Sequence, residues 1–170
     1  MKLELHKLKL DDVFLIKTSL FVDKRGSFIE SFSEKINQSL GVNIKWIQDN
    51  ESVSKKYVFR GLHFQKDEYA QSKLVRVSNG KIIDILLDLR KNSSTFMNFI
   101  KVNLNHRNLL LYVPKGIAHG FISLDDNTIV NYKCDNSYNP DYESGVNPFK
   151  SNLKINLGVD KKKIIVSKKD

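Results

Sequence analysis

Several features that would assign a protein to a common class are scarce or missing from this chain of 170 residues. It has one cysteine, Cys134, which excludes an internal disulfide and a cysteine-rich zinc site. No stretch approaches the roughly 18 consecutive apolar residues that a membrane-spanning helix requires. The N-terminal segment is charged throughout and lacks the apolar run of a secretory signal. Because this cysteine usage also fits reducing conditions, we expect a cytoplasmic protein with no membrane partner.

The motifs of several enzyme and nucleic-acid-binding classes are also missing from the sequence. It contains no glycine-rich phosphate loop or dinucleotide fingerprint, no serine nucleophile-elbow motif, and no helix-turn-helix, zinc-finger or RNA-binding signature. Its net charge of +9 is compatible with an anionic partner or with a solvated, lysine-rich surface. We therefore expect no nucleic-acid partner, while a small anionic ligand stays open.

Short apolar segments separated by turns dominate the chain, and they predict an all-β protein. The dipeptide Asn79-Gly80 is a strong hairpin signal, so we expect it to join two paired strands. In the segment that follows, alternation places Ile83, Ile85, Leu87 and Leu89 on one face. One short helix is predicted at residues 33–41, ended by a glycine. The predicted strands cover residues 13–16, 26–32, 57–65, 73–77, 82–89, 96–104, 109–113, 118–124 and 128–134.

Strands at this spacing favour a β-sandwich or small barrel, and the length of the chain favours a single domain over residues 1–170. Residues 138–170 are less regular, and we expect them to wrap the barrel or its mouth.

The segment at residues 60–65 is the most informative part of the sequence, because it places His63 inside an apolar strand. An imidazole can act as a base near neutral pH, since its unperturbed pKa is about 6.5, although a buried structural histidine is an equally good interpretation of the position alone. The polar neighbours Arg60 and Gln65 favour a functional role. Strict alternation would put Arg60 and His63 on opposite faces, and a bulge or kink at Gly61 would remove this conflict.

Other polar residues on neighbouring predicted strands have both functional and structural interpretations. Lys73 could stabilise an oxyanion, or it could be an ordinary lysine on the protein surface. Asp84 is suited to orienting His63 or to the exposed side of a strand. His119 and Tyr132 add a second imidazole and a phenol, each of which is also common in protein cores. A histidine base with a tyrosine acid can move protons on carbon without a metal or cofactor.

A metal site is the main competing hypothesis, and the sequence argues against it. Metal-binding cupins carry a His-x-His pair and a following glutamate, whereas here His63 is followed by Phe64 and Gln65. His63 and His119 alone do not supply the three or four ligands of a zinc site. We therefore expect no bound metal.

The same segments, taken together and in order, resemble the dTDP-4-dehydrorhamnose 3,5-epimerase family, the sugar-nucleotide branch of the cupins. No single motif is decisive, but a series of this length is highly specific. The resemblance runs from about Phe21 to Asp170 and rests on residues 21–28, 48–52, 60–65, 71–77, 84–90, 114–121, 132–133, 138–140, 143–145 and 167–170.

This resemblance implies a cupin-type jelly roll without a metal or cofactor, and a homodimer that exchanges strands. The implied substrate is a nucleotide-diphosphate sugar, a 4-keto-6-deoxyhexose epimerised at C3 and C5. By the likeness, His63 is the base paired with Asp170, Tyr132 is the acid on the opposite face of the sugar, and Lys73 lies near the ketone. The implied substrate contacts are Arg25, Glu30, Gln48, Asn50, Arg60, His119, Tyr138, Glu143 and Lys169.

The chain departs from the family pattern in its C-terminal part. Family members commonly carry tryptophan after the Glu-x-Gly element and a Trp-Pro pair before the tail, whereas residues 146–149 and 155–158 contain neither here. These departures do not touch His63 or Tyr132. They keep open the alternative of epimerisation at C3 only or on another nucleotide sugar. A separate alternative is a non-catalytic cupin that binds a sugar nucleotide.

Overall fold

The computed structural model describes residues 2–149, 153 and 155–167. Within these ranges the chain is built almost entirely from β-strands, with one short α-helix. The strands are β1 Leu3–Lys7, β2 Phe14–Thr18, β3 Leu20–Asp23, β4 Gly26–Ile29, β5 Gln48–Ser54, β6 Phe59–Gln65, β7 Lys73–Asn79, β8 Ile82–Asp88, β9 Phe99–Leu104, β10 Leu109–Val113, β11 Ile117–Ser123, β12 Thr128–Cys134 and β13 Glu143–Gly145. The helix is α1, Glu34–Leu40, and 3-10 turns occupy Asp67–Tyr69, Pro140–Tyr142 and Lys161–Lys163.

Two antiparallel sheets form the body of the molecule. The six-stranded sheet has the order β1-β2-β10-β7-β12-β5, and the five-stranded sheet has the order β13-β6-β11-β8-β9. Among the described strands, β3 and β4 pair only with each other, as a separate hairpin. Sequential strands repeatedly lie in opposite sheets, which is the connectivity of a jelly roll. The predicted all-β jelly-roll fold is therefore confirmed.

Apolar side chains from both sheets meet in a central core, which includes Val75 and Val130 from one sheet and Leu86 and Phe121 from the other. Strand β8 is buried on both faces, because Ile82 and Leu86 enter this core while its other face packs on the C-terminal segment. The predicted face of alternating residues is confirmed, since Ile83, Ile85, Leu87 and Leu89 all lie in that second cluster with Ile155 and Leu157.

The predicted short helix forms as α1, and it covers the outer face of the six-stranded sheet. Its buried Ile36 packs in a cluster with Leu74 and Leu110. Gly41 ends the helix with a φ of 69°, a left-handed conformation that glycine adopts without a Cβ penalty. Across the described ranges, no helix is long and apolar enough to cross a membrane.

Two predictions about the strands are wrong. The segment predicted as the first strand, which starts at residue 13, corresponds to the second strand, β2. The first strand is β1, which the sequence did not predict. The Asn79-Gly80 turn does not join a hairpin, because β7 pairs with β10 and β12 while β8 pairs with β9 and β11 in the other sheet. The turn itself forms, with Gly80 at a φ of 77°, but packing against non-local strands sends the chain across the sandwich.

Candidate active site

A cavity of about 300 Å³ lies between the two sheets. The six-stranded sheet contributes Ser52, Lys73 and Tyr132 to its wall. The five-stranded sheet contributes the opposite wall, and Ser167 of the C-terminal segment adds to the lining. The lining residues of that opposite wall are Arg60, His63, His119, Gly120, Phe121 and Glu143.

The predicted base and acid therefore come from different sheets. His63 lies on β6, and Tyr132 lies on β12, where it pairs with Val75 of β7 and Asn50 of β5. Lys73 enters from β7 beside Cys134, its register partner on β12. A ligand ring held in this cavity would have an imidazole toward one sheet and a phenol toward the other.

A bulge in β6 explains how Arg60 and His63 reach the same cavity. On β11, Phe121 is paired with Arg60 and His119 with His63, so two steps along β11 correspond to three along β6. The extra residue falls in the segment that contains Gly61, whose φ is 123°. A bulge of this kind shifts the alternation by one residue, so the predicted irregularity at Gly61 is confirmed.

The structure corrects both interpretations of Asp84. The residue is fully buried rather than on an exposed face, and its Oδ1 lies 2.7 Å from Nε2 of His119 rather than orienting His63. In the described part of the chain neither atom has a hydrogen-bond partner, so this contact is a close approach of the two side chains rather than a hydrogen bond. The reason is register, since β8 and β11 pair with Phe121 opposite Asp84, which sets the carboxylate beside the neighbouring His119. Asp84 therefore supports a wall residue of the cavity.

Burial changes the acid–base properties of the two groups on the six-stranded sheet. Desolvation lowers the pKa of Lys73 below its usual 10.5, although Cys134, Asp84 and Glu143 act in the opposite direction. Desolvation also raises the pKa of Tyr132 above 10.0, with a further contribution from Cys134. Tyr132 therefore keeps its proton at neutral pH and can act as a donor.

Hydrogen bonds link three other predicted substrate contacts to a residue of the cavity wall. Gln48 and Asn50 lie on β5, and Nε2 of Gln48 donates to Oδ1 of Asn50 at 2.9 Å. The backbone N–H of Tyr138 donates to Oε1 of Gln48 at 3.1 Å, and its hydroxyl donates to Oε2 of Glu143 at 2.7 Å. Because Glu143 lines the cavity, this chain of hydrogen bonds connects Gln48, Asn50 and Tyr138 to it.

Arg25 and Glu30 lie outside the described wall of the cavity, and two further predicted site residues fall outside the described part of the chain. Arg25 lies in the turn of the β3–β4 hairpin, where its Nη2 is 2.6 Å from Oδ2 of Asp23. Glu30 directly follows β4, and neither residue belongs to the cavity wall. Lys169 and Asp170, the expected partner of His63, lie outside the described residues.

Sequence reasoning missed four residues of the wall, which are Ser52, Gly120, Phe121 and Ser167. Ser52 could have been found, because it continues the period-two series of Gln48 and Asn50 along β5. Its buried hydroxyl has no hydrogen-bond partner among the residues that the structure describes. Gly120 and Phe121 carry no chemistry that a sequence pattern would single out.

The described residues around the cavity do not form a metal site. Across residues 2–149, 153 and 155–167, no group of three or more histidine, cysteine, aspartate or glutamate side chains could hold a metal ion. The acidic partner of His119 is a single carboxylate, and the remaining wall includes the cations Lys73 and Arg60.

Comparison with known proteins gives one consistent result. The family model described as dTDP-4-dehydrorhamnose 3,5-epimerase matches residues 7–170. A curated dTDP-4-dehydrorhamnose 3,5-epimerase from Methanothermobacter thermautotrophicus is 46% identical over 141 residues, covering 82% of this chain and 76% of the relative.

Two solved structures are similar over almost the whole chain. A dTDP-6-deoxy-D-glucose-3,5-epimerase from Legionella pneumophila, in complex with dTDP-4-keto-L-rhamnose, has a TM-score of 0.93 at 33% identity and covers 99% of this chain and 90% of its own. A 3'-monoepimerase from Streptomyces bikiniensis, in complex with dTDP-quinovose, has a TM-score of 0.88 at 28% identity. The match covers 97% of this chain and 84% of the monoepimerase chain.

Proposed function

Because the chain belongs to the dTDP-4-dehydrorhamnose 3,5-epimerase family, we propose that it converts dTDP-4-dehydro-6-deoxyglucose to dTDP-4-dehydrorhamnose. The reaction inverts C3 and C5 of the 4-keto sugar. The observation that carries this proposal is the placement of His63 and Tyr132 on opposite sheets around one cavity.

The chemistry needs a base and an acid on opposite faces of the sugar ring. The C4 ketone acidifies the protons on C3 and C5, because the electron pair left on carbon delocalises into an enolate. His63 takes the proton from one face and becomes an imidazolium, and Tyr132 then gives its proton to the same carbon from the other face. The substrate supplies the ketone, so the reaction requires no metal or cofactor.

Lys73 is suited to stabilising the enolate oxygen. Its burial strengthens the interaction of an ammonium with a developing negative charge, and loss of one comparable donor in other enzymes costs about 3–4 kcal/mol. Desolvation lowers the pKa of Lys73, while Cys134, Asp84 and Glu143 favour its charged form. We assign the oxyanion role to this residue.

The two histidines have separate supporting residues in this account. We propose that the carboxylate of Asp170 fixes the tautomer of His63 and stabilises its imidazolium, as a buried carboxylate does beside other catalytic histidines. His119 would contact the sugar from the same wall, and Asp84 at 2.7 Å holds its ring in place.

We propose that the nucleotide and diphosphate occupy the rim of the cavity. Arg60 offers a guanidinium for charge-assisted hydrogen bonds to phosphate, and the net charge of +9 favours an approaching dianion. The remaining contacts would come from Gln48, Asn50, Tyr138, Glu143 and Lys169.

Arg25 and Glu30 lead us to propose a homodimer that exchanges its β3–β4 hairpins. The hairpin exposes Phe21, Val22 and Phe28 by 56, 72 and 67%, which is apolar surface suited to a second copy. In that arrangement Arg25 and Glu30 would complete the partner's site. Mixing the Arg25→Ala and His63→Ala variants tests this. If hairpins are exchanged, each mixed dimer has one intact site and the mixture regains activity. If each chain uses its own hairpin, the mixture stays inactive.

We also propose that the reaction takes place in the cytoplasm. Cys134 is a buried free thiol, which is compatible with reducing conditions. Fractionation of cells that express the protein, followed by detection with an antibody, checks this.

An isotope experiment tests the proposed reaction. The protein is incubated with dTDP-4-dehydro-6-deoxyglucose in D₂O, and the sugar is examined by NMR. We expect deuterium at C3 and C5 with inversion at both centres, and no exchange with His63→Ala. Absence of exchange with the wild-type protein would contradict the enzyme function and favour a binding protein.

The similarity to a 3'-monoepimerase supports one second candidate, epimerisation at C3 only. The same spectra separate the two candidates. Inversion and deuterium confined to C3 would replace the two-centre proposal with this one.

A further inference from the structure

The position of His63 depends on an unusually close approach of three strands. Strand β6 lies between β11 and β13, so His63 has His119 opposite it on one side and Gly145 on the other. Glycines occupy the two neighbouring strands where the bulge of β6 passes them. They are Gly120 on β11 and Gly145 on β13.

Gly120 is required by space and not by backbone conformation. A Cβ at this position would lie 2.6 Å from the carbonyl oxygen of Arg60 and 2.9 Å from Cα of Gly61. Real Cβ atoms essentially never approach backbone atoms this closely. The φ of Gly120 is outside the left-handed region, so alanine could adopt its backbone conformation. Adding a methyl group there would therefore push β6 away from β11.

Gly145 leaves a smaller space on the other side of His63. A Cβ on Gly145 would lie 3.0 Å from the carbonyl oxygen of Leu62 and 3.4 Å from Cδ2 of His63. The first distance is tight, and the second is in the range where ordinary contact begins. A methyl group there would touch the imidazole itself and shift it by a few tenths of an ångström at most.

We propose that Gly120 and Gly145 are positioning residues for His63, because the missing Cβ atoms on both flanking strands let the bulged segment of β6 carry the imidazole into the cavity. The inference rests on the proposed function, in which His63 is the base. Neither glycine is assigned a direct contact with the reacting atoms.

The two ends of the bulge should respond differently to a displacement of β6. The side chain of Arg60 is tied to β5, since its Nε donates to Oγ of Ser54 at 3.2 Å and its Nη2 to the carbonyl oxygen of Val53 at 3.4 Å. These bonds hold the guanidinium when its backbone moves. His63 lies at the other end of the bulge, and misplacement of a reacting group by about 1 Å can lower a rate about 100-fold.

The experiment compares Gly120→Ala and Gly145→Ala with the wild-type protein and with Ile36→Ala. The control removes buried side-chain volume from α1 on the outer face of the six-stranded sheet, so it reports loss of stability without movement of β6. For each variant we measure kcat, the Kd for dTDP alone, the thermal unfolding temperature, and the NMR titration of ¹⁵N-labelled His63 without ligand, assigned with His63→Ala.

For Gly120→Ala we expect kcat to fall about 100-fold while the Kd for dTDP changes less than about threefold, since the Arg60 guanidinium stays on β5. For Gly145→Ala we expect kcat to fall about tenfold. The His63 signal should shift in both variants. Ile36→Ala should keep kcat and the His63 signal of the wild type although its unfolding temperature falls.

Wild-type kcat and an unchanged His63 signal in folded Gly120→Ala would overturn the inference, as would an equal loss of kcat in Ile36→Ala. If Gly120→Ala does not fold, Gly145→Ala decides by the same criteria. If the wild-type protein shows no turnover, the proposed function fails, but the ligand-free His63 titration still tests whether these glycines place the imidazole.

Discussion

Strand β8 carries two aspartates on the same inner face, Asp84 and Asp88, and both side chains are fully buried. Their surroundings differ. Asp88 accepts hydrogen bonds from Nη2 of Arg90, Oγ of Ser93 and Oγ1 of Thr95, each at 2.7 Å. Asp84 accepts no hydrogen bond from the described residues, and its Oδ1 lies 2.7 Å from Nε2 of His119.

The comparison distinguishes Asp88, a structural carboxylate, from Asp84, which lies against a residue of the cavity wall. Burial alone would raise the pKa of Asp88, but hydrogen bonds from Arg90, Thr95 and Ser93 outweigh it and hold the pKa well below its usual 3.8. Asp84 instead lies against the imidazole of His119, which lines the cavity. Equal burial on one strand therefore does not imply an equal role.

The largest effect should come from Asp88→Asn. It removes a buried charge from a network that keeps Arg90 in place, so we expect the free energy of unfolding to fall by about 3 kcal/mol, measured by urea denaturation. The matched control is Asp12→Asn, because Asp12 is an exposed partner of Arg90 and should cost less than about 1 kcal/mol. Unchanged stability with a large fall in kcat would remove the distinction between the two aspartates.

Asp84→Asn should have the opposite outcome. We expect kcat to fall on the order of 100-fold, because His119 loses the carboxylate that orients it. Stability should change by less than about 1 kcal/mol, since no network of hydrogen bonds is broken. Steady-state kinetics and urea denaturation of the same preparation give both values. Full activity with a large loss of stability would place Asp84 in the class of Asp88.

Lys73→Arg tests the electrostatics of the cavity with a smaller expected effect. The charged form of Lys73 is the active one, and desolvation lowers its pKa below 10.5, so kcat should fall as pH rises through that lowered value. At neutral pH we expect the kcat of the variant to be about tenfold below that of the wild-type protein. Because arginine keeps its charge at high pH, the kcat of the variant should not show the alkaline decline. The pH–rate profiles of both proteins provide the check, and an identical alkaline decline would assign that limb to another group.

The smallest effect concerns stability in acid. Because the pKa of Asp88 is depressed in the folded state, its contribution is fully present above the unfolded value near 3.8 and is lost as pH falls toward the folded value. Unfolding free energy should therefore decline less steeply below about pH 4.5 in Asp88→Asn than in the wild-type protein. Urea denaturation from pH 6 to pH 2.5 measures both slopes, and parallel curves would contradict the account.

Local patterns in the sequence were sufficient for much of this description. Alternation in β8 predicts the face that carries Ile83 and Ile85, and ordered motifs identify most of the cavity wall. Local patterns do not report non-local pairing, so the Asn79-Gly80 turn predicts a hairpin although its two strands enter different sheets. The partner of Asp84 depends on the register between β8 and β11, and the role of Gly120 depends on the approach of β6. Neither leaves a local signal.

The most direct test of proton transfer from two sides of the ring is the isotope pattern made by Tyr132→Phe. This variant keeps the base and lacks the phenolic proton, so His63 can remove a proton and return a deuteron only from its own face. In D₂O we predict that the recovered sugar nucleotide contains deuterium but keeps its original configuration. Inversion at the wild-type rate would contradict the assignment of Tyr132, and with it the opposed arrangement of the two groups across the cavity.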